Sequence, residues 1–487
     1  MTKGKDQMGT HNEYGKTKIV CTLGPSSCSV DVLEKMIRAG MDVARLNFSH
    51  GTHEEHQSVI LAVREASTRV GEPITILQDL QGPKIRTGKL AAHEVRLTDG
   101  AKFSITIEDV PGDEKRVSTT YQNLPKDVKP GDTILMDDGL LQLKVLSSTA
   151  TDVITEVVHG GILKEHKGIN LPGVAVSAPS LTEKDIEDLE FGLANDIDYV
   201  ALSFVRTGAD IRRLREFIIA KIERGKKLPI VAKIEKGEAV ENIDEIIREA
   251  DAIMVARGDL GVECPTEDVP IAQKLICKKA NAAGKPVIIA TQMLESMIEN
   301  PRPTRAEAND VANAVLDGAD AVMLSGETSV GKYVVEVVQT MDSIIRRAEV
   351  EYRDRLDLIE TIGGDHASVF RAVGRSACVL AKQIGAAAII PVTHSGDTAM
   401  TIARYRPYGK IIAVTDRERI RRRLNLVWGV RSFLVPKIAD TDTTFESIQH
   451  QLLNSGYVKK GDYIVLTAGI PLLARGTTNM VKVERIA

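Results

Sequence analysis

The sequence lacks the features that mark membrane, secreted and disulfide-rich proteins. Its apolar runs have the length of strands, far below the roughly 20 residues of a membrane-spanning helix. The polar stretch 1–14 has no apolar core of the kind that a signal peptide needs. The five cysteines are scattered and none belongs to a Cys-x-x-Cys pair, a usage typical of reduced thiols rather than of a disulfide or zinc framework. We therefore predict a cytoplasmic protein with no membrane partner.

The chain has only a small net charge and few aromatic residues. The formal net charge is −4 and aromatic residues make up 4% of the chain, which argues against a protein whose main partner is a nucleic acid. We interpret the single tryptophan, Trp428, as a packing residue. With 487 residues, 43% of them hydrophobic, the chain is long enough for roughly two to four domains.

Short apolar runs that alternate with longer amphipathic stretches are the main pattern of the sequence. Two of the amphipathic stretches stop at a glycine: Val30–Ala39 before Gly40, and residues 210–224 before Gly225. Eight apolar runs are predicted to be strands, beginning at Lys18, Asp42, Ile74, Tyr199, Pro229, Ala252, Pro286 and Ala321. Eight β-α units in series predict an α/β protein with a (β/α)8 TIM barrel rather than an open sheet.

The alternation is interrupted once, and a second pattern begins towards the end of the chain. Residues 83–179 hold short strands and Pro-Gly-Asp turns, which predicts an inserted small β-barrel-like lid domain. Helical patterning resumes after Thr182, a predicted N-cap. Further strands from Lys410 and Asp462 predict a C-terminal open-sheet α/β domain. The predicted parts are an N-terminal tail (1–14), the barrel (15–82 and 180–350), the lid domain (83–179) and the C-terminal domain (351–487).

Polar and charged side chains follow six of the eight predicted barrel strands. Strand side chains alternate between the lumen and the surrounding helices, so Lys233 and Glu235 share one face. A simple pairing of these two residues explains their strand equally well, but all six strands together would need six separate compensations. The collected groups are Arg45 with Asn47, Asp79, Lys233 with Glu235, Arg257 with Asp259, Thr291, and Ser325 with Glu327. They predict a site at the C-terminal face of the barrel.

Glu235 and Asp259 follow successive strands and can reach one cation. Two carboxylates completed by substrate oxygens and water are typical of Mg²⁺ or Mn²⁺, and the absence of histidine from these strand ends disfavours zinc. Gly258, next to Asp259, allows the backbone to approach an anion closely. The P-loop-like run 326–332 is discounted because Tyr333 stands where that motif needs Ser or Thr.

A series of motifs in the chain is similar to those of the pyruvate kinase family. They are TLGPSS from Thr22, RLNFSHG from Arg45, DLQGPKIRTG from Asp79, MDDG from Met136, KGINLPG from Lys167, AKIEKGEAV from Ala232, ARGDLGVE from Ala256, ATQMLESM from Ala290, PTRAE from Pro303 and DGADAVMLSGET from Asp317. The matches run through the barrel and the insertion, and the C-terminal part fits the family's effector domain. The resemblance implies a glycolytic phosphotransferase that moves the phosphoryl group of phosphoenolpyruvate to ADP, giving pyruvate and ATP.

The same resemblance implies roles for individual residues. The implied catalytic residues are Lys233, Arg45, Thr291 and Ser325. The implied substrate-binding residues are Arg45, Lys233, Gly258, Asp259 and Thr291. The implied Mg²⁺ ligands are Glu235 and Asp259, and the implied nucleotide-binding residues are Arg45, His50, Arg86 and Lys167. Which group protonates the enolate is left open, and the lid domain is expected to close over the nucleotide on hinges near Gly82 and Ala178.

Lys84 departs from a large part of the family. Many members have glutamate at this position and need K⁺, held by residues that match Asn47, Ser49, Asp79 and the carbonyl of Leu80. A lysine ammonium would stand in for that ion, so we predict activity without K⁺.

The resemblance also implies regulation and assembly. A sugar-phosphate or nucleotide effector is expected at Thr393, His394, Ser395, Gly396 and Thr398, although Asp397 would oppose an anion and an ordinary helix start explains the run nearly as well. A homotetramer is implied in the same way. Two other functions stay open at this point: a barrel lyase or aldolase with the same metal pair, and a non-catalytic metabolite sensor that keeps the fold.

Overall fold

The computed structural model describes residues 15–223, 227–352, 369–435, 441–470 and 478–487. The predicted tail 1–14 and the predicted helix stop at Gly225 lie outside these ranges, and every predicted site residue lies inside them. Within these ranges, none of the helices combines the length and the apolar composition needed to cross a membrane.

The described chain begins with two β-α units and a third strand. They are β1 (Lys18–Thr22), α1 (Val30–Ala39), β2 (Val43–Asn47), α2 (His53–Val70) and β3 (Thr75–Asp79). Helix α1 ends at Gly40, whose φ of 120° is rarely adopted by residues with a side chain, and this confirms the predicted stop. Helix α2 begins with a capping box, in which Thr52 Oγ1 accepts from the Glu55 N–H and the Glu55 carboxylate accepts from the Thr52 N–H.

A β-rich segment separates β3 from the next barrel strand and confirms the predicted insertion. Its elements are β4 (Glu94–Leu97), β5 (Lys102–Thr106), β6 (Arg116–Ser118), α3 (Leu124–Asp127), β7 (Thr133–Met136), β8 (Leu141–Ser148), β9 (Asp152–His159), β10 (Gly161–Lys164) and β11 (Ile169–Asn170). Strands β11, β7, β8, β9, β5 and β6 form one sheet in that order, and β10 pairs with β4 in a second sheet. Side chains such as Phe103, Ile105 and Leu143 give the segment an apolar core of its own. We call this domain the β insertion.

The remaining β-α units complete the barrel. They are α4 (Glu183–Ala194), β12 (Tyr199–Leu202), α5 (Gly208–Lys221), β13 (Ile230–Ile234), α6 (Gly237–Glu241), α7 (Ile243–Glu249), β14 (Ala252–Ala256), α8 (Arg257–Glu263), α9 (Val269–Ala283), β15 (Val287–Ala290), α10 (Arg305–Leu316), β16 (Ala321–Leu324), α11 (Gly326–Ser329) and α12 (Val334–Tyr352). Short 3₁₀ turns lie at Thr266–Asp268 and Glu295–Ile298. The strands close in the order β1-β16-β15-β14-β13-β12-β3-β2 with parallel pairing, which confirms the predicted TIM barrel. Thr182 Oγ1 accepts from the Asp185 N–H, as predicted for the N-cap of α4.

Two layers of apolar side chains line the barrel wall. Successive strand residues point to opposite sides, so Ile19 and Leu46 pack outward against the helices. Val20, Leu77 and Met254 point inward and form a second cluster in the lumen. The centre of the lumen is therefore apolar, and the polar groups of the strands collect at its C-terminal end.

The C-terminal part is an open α/β sheet, as predicted. Its elements are α13 (Val369–Ile384), β17 (Ala388–Pro391), α14 (Asp397–Arg404), β18 (Lys410–Thr415), α15 (Glu418–Arg423), β19 (Val430–Leu434), α16 (Thr441–Asn454), β20 (Tyr463–Ala468) and β21 (Met480–Arg485). The strand order is β19-β18-β17-β20-β21, with β21 antiparallel to β20. Strands β19 and β21 were not predicted because they are edge strands whose runs mix charged with apolar residues.

The C-terminal domain closes the bottom of the barrel. A 3₁₀ turn at Leu424–Leu426 follows α15, and the fully buried Leu426 belongs to the luminal cluster of the barrel. The Tyr199 hydroxyl donates to the Arg423 carbonyl at 3.3 Å, and Lys18 Nζ donates to the Val430 carbonyl at 2.9 Å. The two domains are thus joined through the N-terminal ends of the barrel strands, opposite the polar strand ends.

Candidate active site at the C-terminal mouth of the barrel

Lys233 lies at the centre of the polar groups at the barrel mouth. Its Nζ is 2.8 Å from Glu235 Oε1 and 3.2 Å from Asp79 Oδ1, and it donates a hydrogen bond of 2.7 Å to Ser203 Oγ. These partners stand on or just after β13, β3 and β12, which are neighbours in the barrel. The pairing of Lys233 with Glu235 that explains the strand structurally is present, but Lys233 also joins two further strands.

The charges around Lys233 keep both it and Asp79 ionised. Burial disfavours the ammonium, but the carboxylates of Asp79 and Glu235 outweigh burial, and the pKa of Lys233 is raised above its usual 10.5. Burial also disfavours the Asp79 carboxylate, but Lys233 and Arg45 outweigh it and lower the pKa of Asp79. The barrel mouth therefore holds a fixed positive charge at neutral pH.

Arg45 is anchored on both sides by its barrel neighbours. Its Nε donates to Asp79 Oδ2 at 2.7 Å, and one terminal nitrogen donates to Thr22 Oγ1 at 2.8 Å. Thr22 ends β1 and Ser203 follows β12, and neither strand belongs to the predicted set of polar strand ends. Both were visible in the sequence as hydroxyl residues at a strand terminus, and each of them orients one cation of the site.

Glu235 and Asp259 follow β13 and β14, which pair directly. Burial raises the pKa of Glu235; the nearby Lys233 works against this and the Asp259 carboxylate adds to it. Glu235 Oε2 accepts from the Phe204 N–H at 2.6 Å. Asp259 lies in the first turn of α8 and lines the cleft below the β insertion. Among the described residues its carboxylate has neither a hydrogen-bond donor nor an ion-pair partner.

This donor set fits a hard divalent cation. In the described part of the chain, no three or more His, Cys, Asp or Glu side chains gather into a ready-made metal cage. A pair of carboxylates, one of them without a protein partner, suits Mg²⁺ or Mn²⁺, which take several ligands from substrate oxygens and water. The residues present therefore fit the predicted ion.

Thr291 joins the end of β15 to the start of α8. Its Oγ1 accepts from the Gly258 N–H at 2.8 Å and donates to the Ala290 carbonyl at 2.6 Å. Its φ of 68° is unfavourable for a β-branched residue. Arg257 offsets that cost by donating to the Thr291 carbonyl at 2.6 Å and to Asp310 at 2.7 Å. Arg257, which the sequence placed among the polar strand ends, is therefore bonded to the wall around Thr291.

Ser325 presents a buried hydroxyl that has no hydrogen-bond partner among the described residues. Its N–H donates to the Glu327 carboxylate at 2.7 Å, and that carboxylate also accepts from the Leu294 N–H at 3.1 Å. Glu327 thus shapes the loop and leaves the Ser325 hydroxyl free. An unsatisfied buried hydroxyl costs free energy, which a bound ligand or water would offset.

Four cationic or titratable side chains gather where the barrel meets the β insertion. Burial lowers the pKa of His50, and the positive charges of Arg86, Lys84 and Arg45 lower it further. Arg86 donates to the His166 carbonyl at 3.2 Å. This group forms a concentration of positive charge beside the cleft.

Lys167 lies in the β insertion, directly before Gly168. The backbone of Gly168 forms a β-bridge with Arg86. Lys167 Nζ pairs with Asp137 Oδ1 at 2.7 Å and its side chain is 34% exposed. The fourth predicted nucleotide contact thus lies within the insertion, next to the backbone partner of Arg86.

The loop that carries His50 is held by two helices. His56 Nε2, in α2, donates to the His50 carbonyl at 2.9 Å, and Lys184 Nζ, in α4, donates to the Phe48 carbonyl at 2.9 Å. Phe48 stacks on the His56 ring with centroids 4.0 Å apart. This support fixes the backbone between β2 and α2.

Comparison with known proteins agrees with this geometry over nearly the whole chain. The family model "Pyruvate kinase, barrel domain" matches residues 14–338, and "Pyruvate kinase, alpha/beta domain" matches residues 371–484. The chain belongs to the pyruvate kinase family.

Individual members of the family are similar over most of their length. A pyruvate kinase of Geobacillus stearothermophilus is 48% identical over 474 residues, covering 97% of this chain and 80% of that protein. One of Corynebacterium glutamicum is 48% identical over 471 residues, covering 96% and 97%. The crystal structure of a pyruvate kinase from Cryptosporidium parvum superposes with a TM-score of 0.92 at 38% identity, covering 97% of this chain and 96% of that one.

Asn47, Asp79 and the Leu80 carbonyl, three members of the potassium set predicted from the family, take part in internal bonds. The Leu80 carbonyl accepts from Ser203 Oγ at 2.7 Å, and Asn47 Oδ1 accepts from the Ser49 N–H at 3.2 Å. Asp79 carries the two cations described above. Lys84 lines the cleft and has no carboxylate within ion-pair distance in the described ranges.

The loop predicted to bind a family effector lies between β17 and α14. Its members are bonded as follows: Gly396 N–H to Thr393 Oγ1 at 2.9 Å, His394 Nδ1 to Asp416 Oδ1 at 2.8 Å, Ser395 Oγ to Asp397 Oδ2 at 2.7 Å, and Thr398 Oγ1 to Thr478 Oγ1 at 2.8 Å. Asp397 is the first residue of α14, and its carboxylate accepts the hydrogen bond from the Ser395 hydroxyl. Contacts within the C-terminal domain thus hold this loop on both sides.

Proposed function

We propose that the protein is an active, metal-dependent pyruvate kinase of glycolysis, which transfers the phosphoryl group of phosphoenolpyruvate to ADP. The observation that carries the proposal is the convergence of Lys233, Arg45, Glu235 and Asp259 at the barrel mouth, in a chain of this family. In the reaction, an oxygen of ADP forms the new P–O bond as the enol oxygen of the substrate leaves. The enolate carbon then takes a proton to give pyruvate.

Lys233 and Arg45 supply positive charge to the migrating phosphoryl group. Its three oxygens share negative charge in the transition state, so cations fixed in advance are the main resource for catalysis. The shared Asp79 holds both cations at 2.7 and 3.2 Å, so neither has to be ordered when the substrate arrives. The raised pKa of Lys233 supports a role as a charge rather than as a base.

Glu235 and Asp259 are the residues that would hold Mg²⁺ or Mn²⁺. When bound, such an ion supplies positive charge at the substrate oxygens. The carboxylate of Asp259 supports this assignment, because no described residue pairs with it. The backbone of α8 at Gly258 and Asp259, with Thr291, would orient the substrate carboxylate at a helix N-terminus.

Thr291 and Ser325 are proposed to take part in proton delivery to the enolate. The support is the buried Ser325 hydroxyl, which has no partner among the described residues and is therefore available to a water or a substrate. Thr291 contributes its hydroxyl from the next strand, where Arg257 binds the Thr291 carbonyl.

Arg45, His50, Arg86 and Lys167 are proposed to bind the nucleotide phosphates. Lys167 and Arg86 belong to the β insertion, and Arg45 and His50 belong to the barrel, so the phosphates would bridge the two. We propose that the β insertion acts as a lid which closes over the nucleotide and excludes water. Lys84, in the same cleft, would replace the K⁺ ion that many family members need.

Regulation and assembly are proposed from membership of the family. A sugar-phosphate or nucleotide effector is assigned to the loop at residues 393–398, and a cytoplasmic homotetramer is assigned to the whole protein. The domain limits are proposed as the sequence gives them, with the β insertion at 83–179 and the C-terminal domain from 351, and the order of the described elements supports this division.

A coupled assay that follows pyruvate formation tests the proposed function. With phosphoenolpyruvate, ADP and Mg²⁺, the purified protein is expected to turn over, while Lys233→Met is expected to lose about 10²–10³-fold in kcat. If the protein instead cleaved or condensed carbon–carbon bonds, it would be a lyase or aldolase. If the folded protein catalysed neither reaction, it would be a sensor. Either result contradicts the proposal.

A further inference from the structure

Glu263 connects three separate parts of the molecule with one carboxylate. It is the last residue of α8, one helical turn after Asp259. Its Oε1 accepts a hydrogen bond of 3.1 Å from Asn170 Nδ2 in strand β11 of the β insertion. The same oxygen lies 3.2 Å from Nζ of Lys236, the residue after Glu235, and the Glu263 side chain is only 5% exposed.

A second part of the β insertion comes close to the same helix. Gly139, with a φ of 87°, lies in the turn between β7 and β8, and a Cβ placed on it would be 3.9 Å from Val262 Cγ1. Val262 and Glu263 are adjacent in α8, so this turn lies beside the C-terminal end of the helix that Asn170 contacts. The helix therefore carries Asp259 at its first turn and the docking points of the insertion at its last turn.

The two partners of Glu263 differ in what happens to them when the insertion moves. Lys236 belongs to the barrel and stays with Glu263 in any position of the insertion. Asn170 belongs to the insertion and leaves with it. A hydrogen bond to a charged group contributes net stability even against hydration by water, so this one favours the position of the insertion over the cleft.

We propose that Asn170, Glu263 and Lys236 form a latch that holds the β insertion over the cleft, with Glu263 as a positioning residue. The latch spans the segment that carries Glu235 and the helix that carries Asp259, so closing the insertion also steadies the two carboxylates. The inference deepens the proposed function, on which its kinetic part rests. Its structural part concerns the position of the insertion and needs no substrate.

The test of the latch is a distance measurement on the full-length enzyme without metal or nucleotide. p-Acetylphenylalanine replaces two exposed residues, Lys144 in the β insertion and Arg213 in the barrel, and each carries a spin label. Pulsed electron paramagnetic resonance then measures the distance between the two labels, which reports the position of the insertion. Asn170→Asp places a second carboxylate against Glu263, and we expect the ratio of closed to open molecules to fall about tenfold. Asn170→Ala, a milder change, is expected to move the ratio in the same direction.

A reciprocal variant separates the latch from a general effect on folding. Asn170→Asp combined with Glu263→Gln restores an amide–carboxylate pair with the donor on the other side, and we expect it to recover most of the closed population. Gln122→Glu is the matched control, because it changes an exposed amide of the insertion whose hydrogen bond stays within the insertion. We expect its distances to equal those of the wild type.

Kinetics give the functional arm of the same experiment. Asn170→Asp is expected to raise the KM for ADP about tenfold, with a smaller change in kcat, and the reciprocal variant is expected to reverse it. Equal distance distributions in wild type, Asn170→Asp and Asn170→Ala overturn the latch, as does a reciprocal variant no more closed than the single one. A wild type with the expected distances but no turnover of phosphoenolpyruvate would overturn the proposed function and leave the latch standing.

Discussion

Lys233 and Asp79 form an ion pair of 3.2 Å at the barrel mouth, and Asp79 is 1% exposed there. Asp79 also binds Arg45 at 2.7 Å, so a single buried carboxylate on β3 fixes one cation from the neighbouring β2 and one from β13, which lies beyond β12. The pair places positive charge where phosphoryl oxygens would lie while keeping the site electrically satisfied when it is empty. This relationship gives the first prediction a clear physical basis.

Replacing Lys233 by methionine removes the charge but keeps most of the side-chain volume. We expect kcat for pyruvate formation to fall about 10²–10³-fold, with little change in the KM for ADP, because the charge acts on the migrating group. Steady-state kinetics with both substrates varied measure the two effects. Lys332→Met, an exposed change, serves as the control, and an equal loss in both variants would contradict the assignment.

Lys84 is expected to make the enzyme independent of potassium. In a buffer whose only monovalent cation is tetramethylammonium, we expect the wild type to show full activity, and adding K⁺ should leave it unchanged. Lys84→Glu exchanges the ammonium for a carboxylate, and its activity is expected to rise on adding K⁺. Lys89→Glu, which makes the same exchange at an exposed position nearby, is the control. A wild type that is inactive without K⁺ would refute this prediction.

The carboxylate pair predicts a direct binding measurement for the metal. The electron paramagnetic resonance signal of free Mn²⁺ measures how much of the ion is bound. We expect Mn²⁺ to bind the wild type, and to bind Asp259→Asn at least about tenfold more weakly, because losing a metal ligand costs no less affinity than losing a residue that hydrogen-bonds to a ligand. Glu235→Gln is expected to behave in the same way. Asp268→Asn, an exposed change just beyond α8, should bind like the wild type, and equal affinities in all four proteins would exclude this pair as the metal site.

Much of the barrel could be predicted because its strands repeat one pattern. Runs such as PIVAKIE show both the apolar alternation and the polar end, so the sequence alone places Lys233 and Glu235 on one face. The partners Thr22 and Ser203 were missed because a single hydroxyl after an apolar run is common and carries little signal. Their contacts with Arg45 and Lys233 depend on which strands are neighbours, and closure of β1 onto β16 is a property of the whole chain.

Contacts between domains could not be predicted from local patterns. Lys236 and Glu263 look like ordinary charged residues beside a metal motif, and Asn170 lies in a different domain. Their meeting at one oxygen follows from how the β insertion returns to the barrel. The same applies to Arg257, whose charge suggested the lumen but whose partners are Asp310 and the Thr291 carbonyl.

Lys18 predicts a pH dependence of stability in the alkaline range. Burial, only partly offset by Asp42, lowers the pKa of Lys18 from 10.5 to about 8. Between these two values the native state binds fewer protons than the unfolded chain, so the free energy of unfolding should rise with pH, by up to about 3 kcal/mol for this group. Below pH 8 this gain is absent.

The measurement is urea-induced unfolding of the wild type and of Lys18→Met between pH 7 and pH 10.5. Other groups titrate in the same range, so the difference between the two proteins isolates Lys18. The wild type is expected to gain stability relative to Lys18→Met as the pH rises. A constant difference in stability across this pH range would show that burial does not lower the pKa of Lys18.

Leu426 predicts a stability effect in the barrel from a change in the C-terminal domain. Leu426→Ala leaves a cavity at the bottom of the luminal cluster, and we expect a loss of about 2–5 kcal/mol, seen as a lower urea midpoint. Leu434→Ala removes a leucine that is 40% exposed in the same domain and should cost far less. Equal losses in the two variants would place Leu426 outside the luminal core.

The position of Leu426 in the chain has a consequence for biosynthesis. The barrel strands are complete by residue 324, yet the side chain that seals their interior is made about a hundred residues later. A nascent chain that stops short of this leucine has an open-bottomed barrel whose apolar lumen faces water. A chain shortened to the barrel and the β insertion would therefore lack part of the barrel's own interior, which the C-terminal domain supplies.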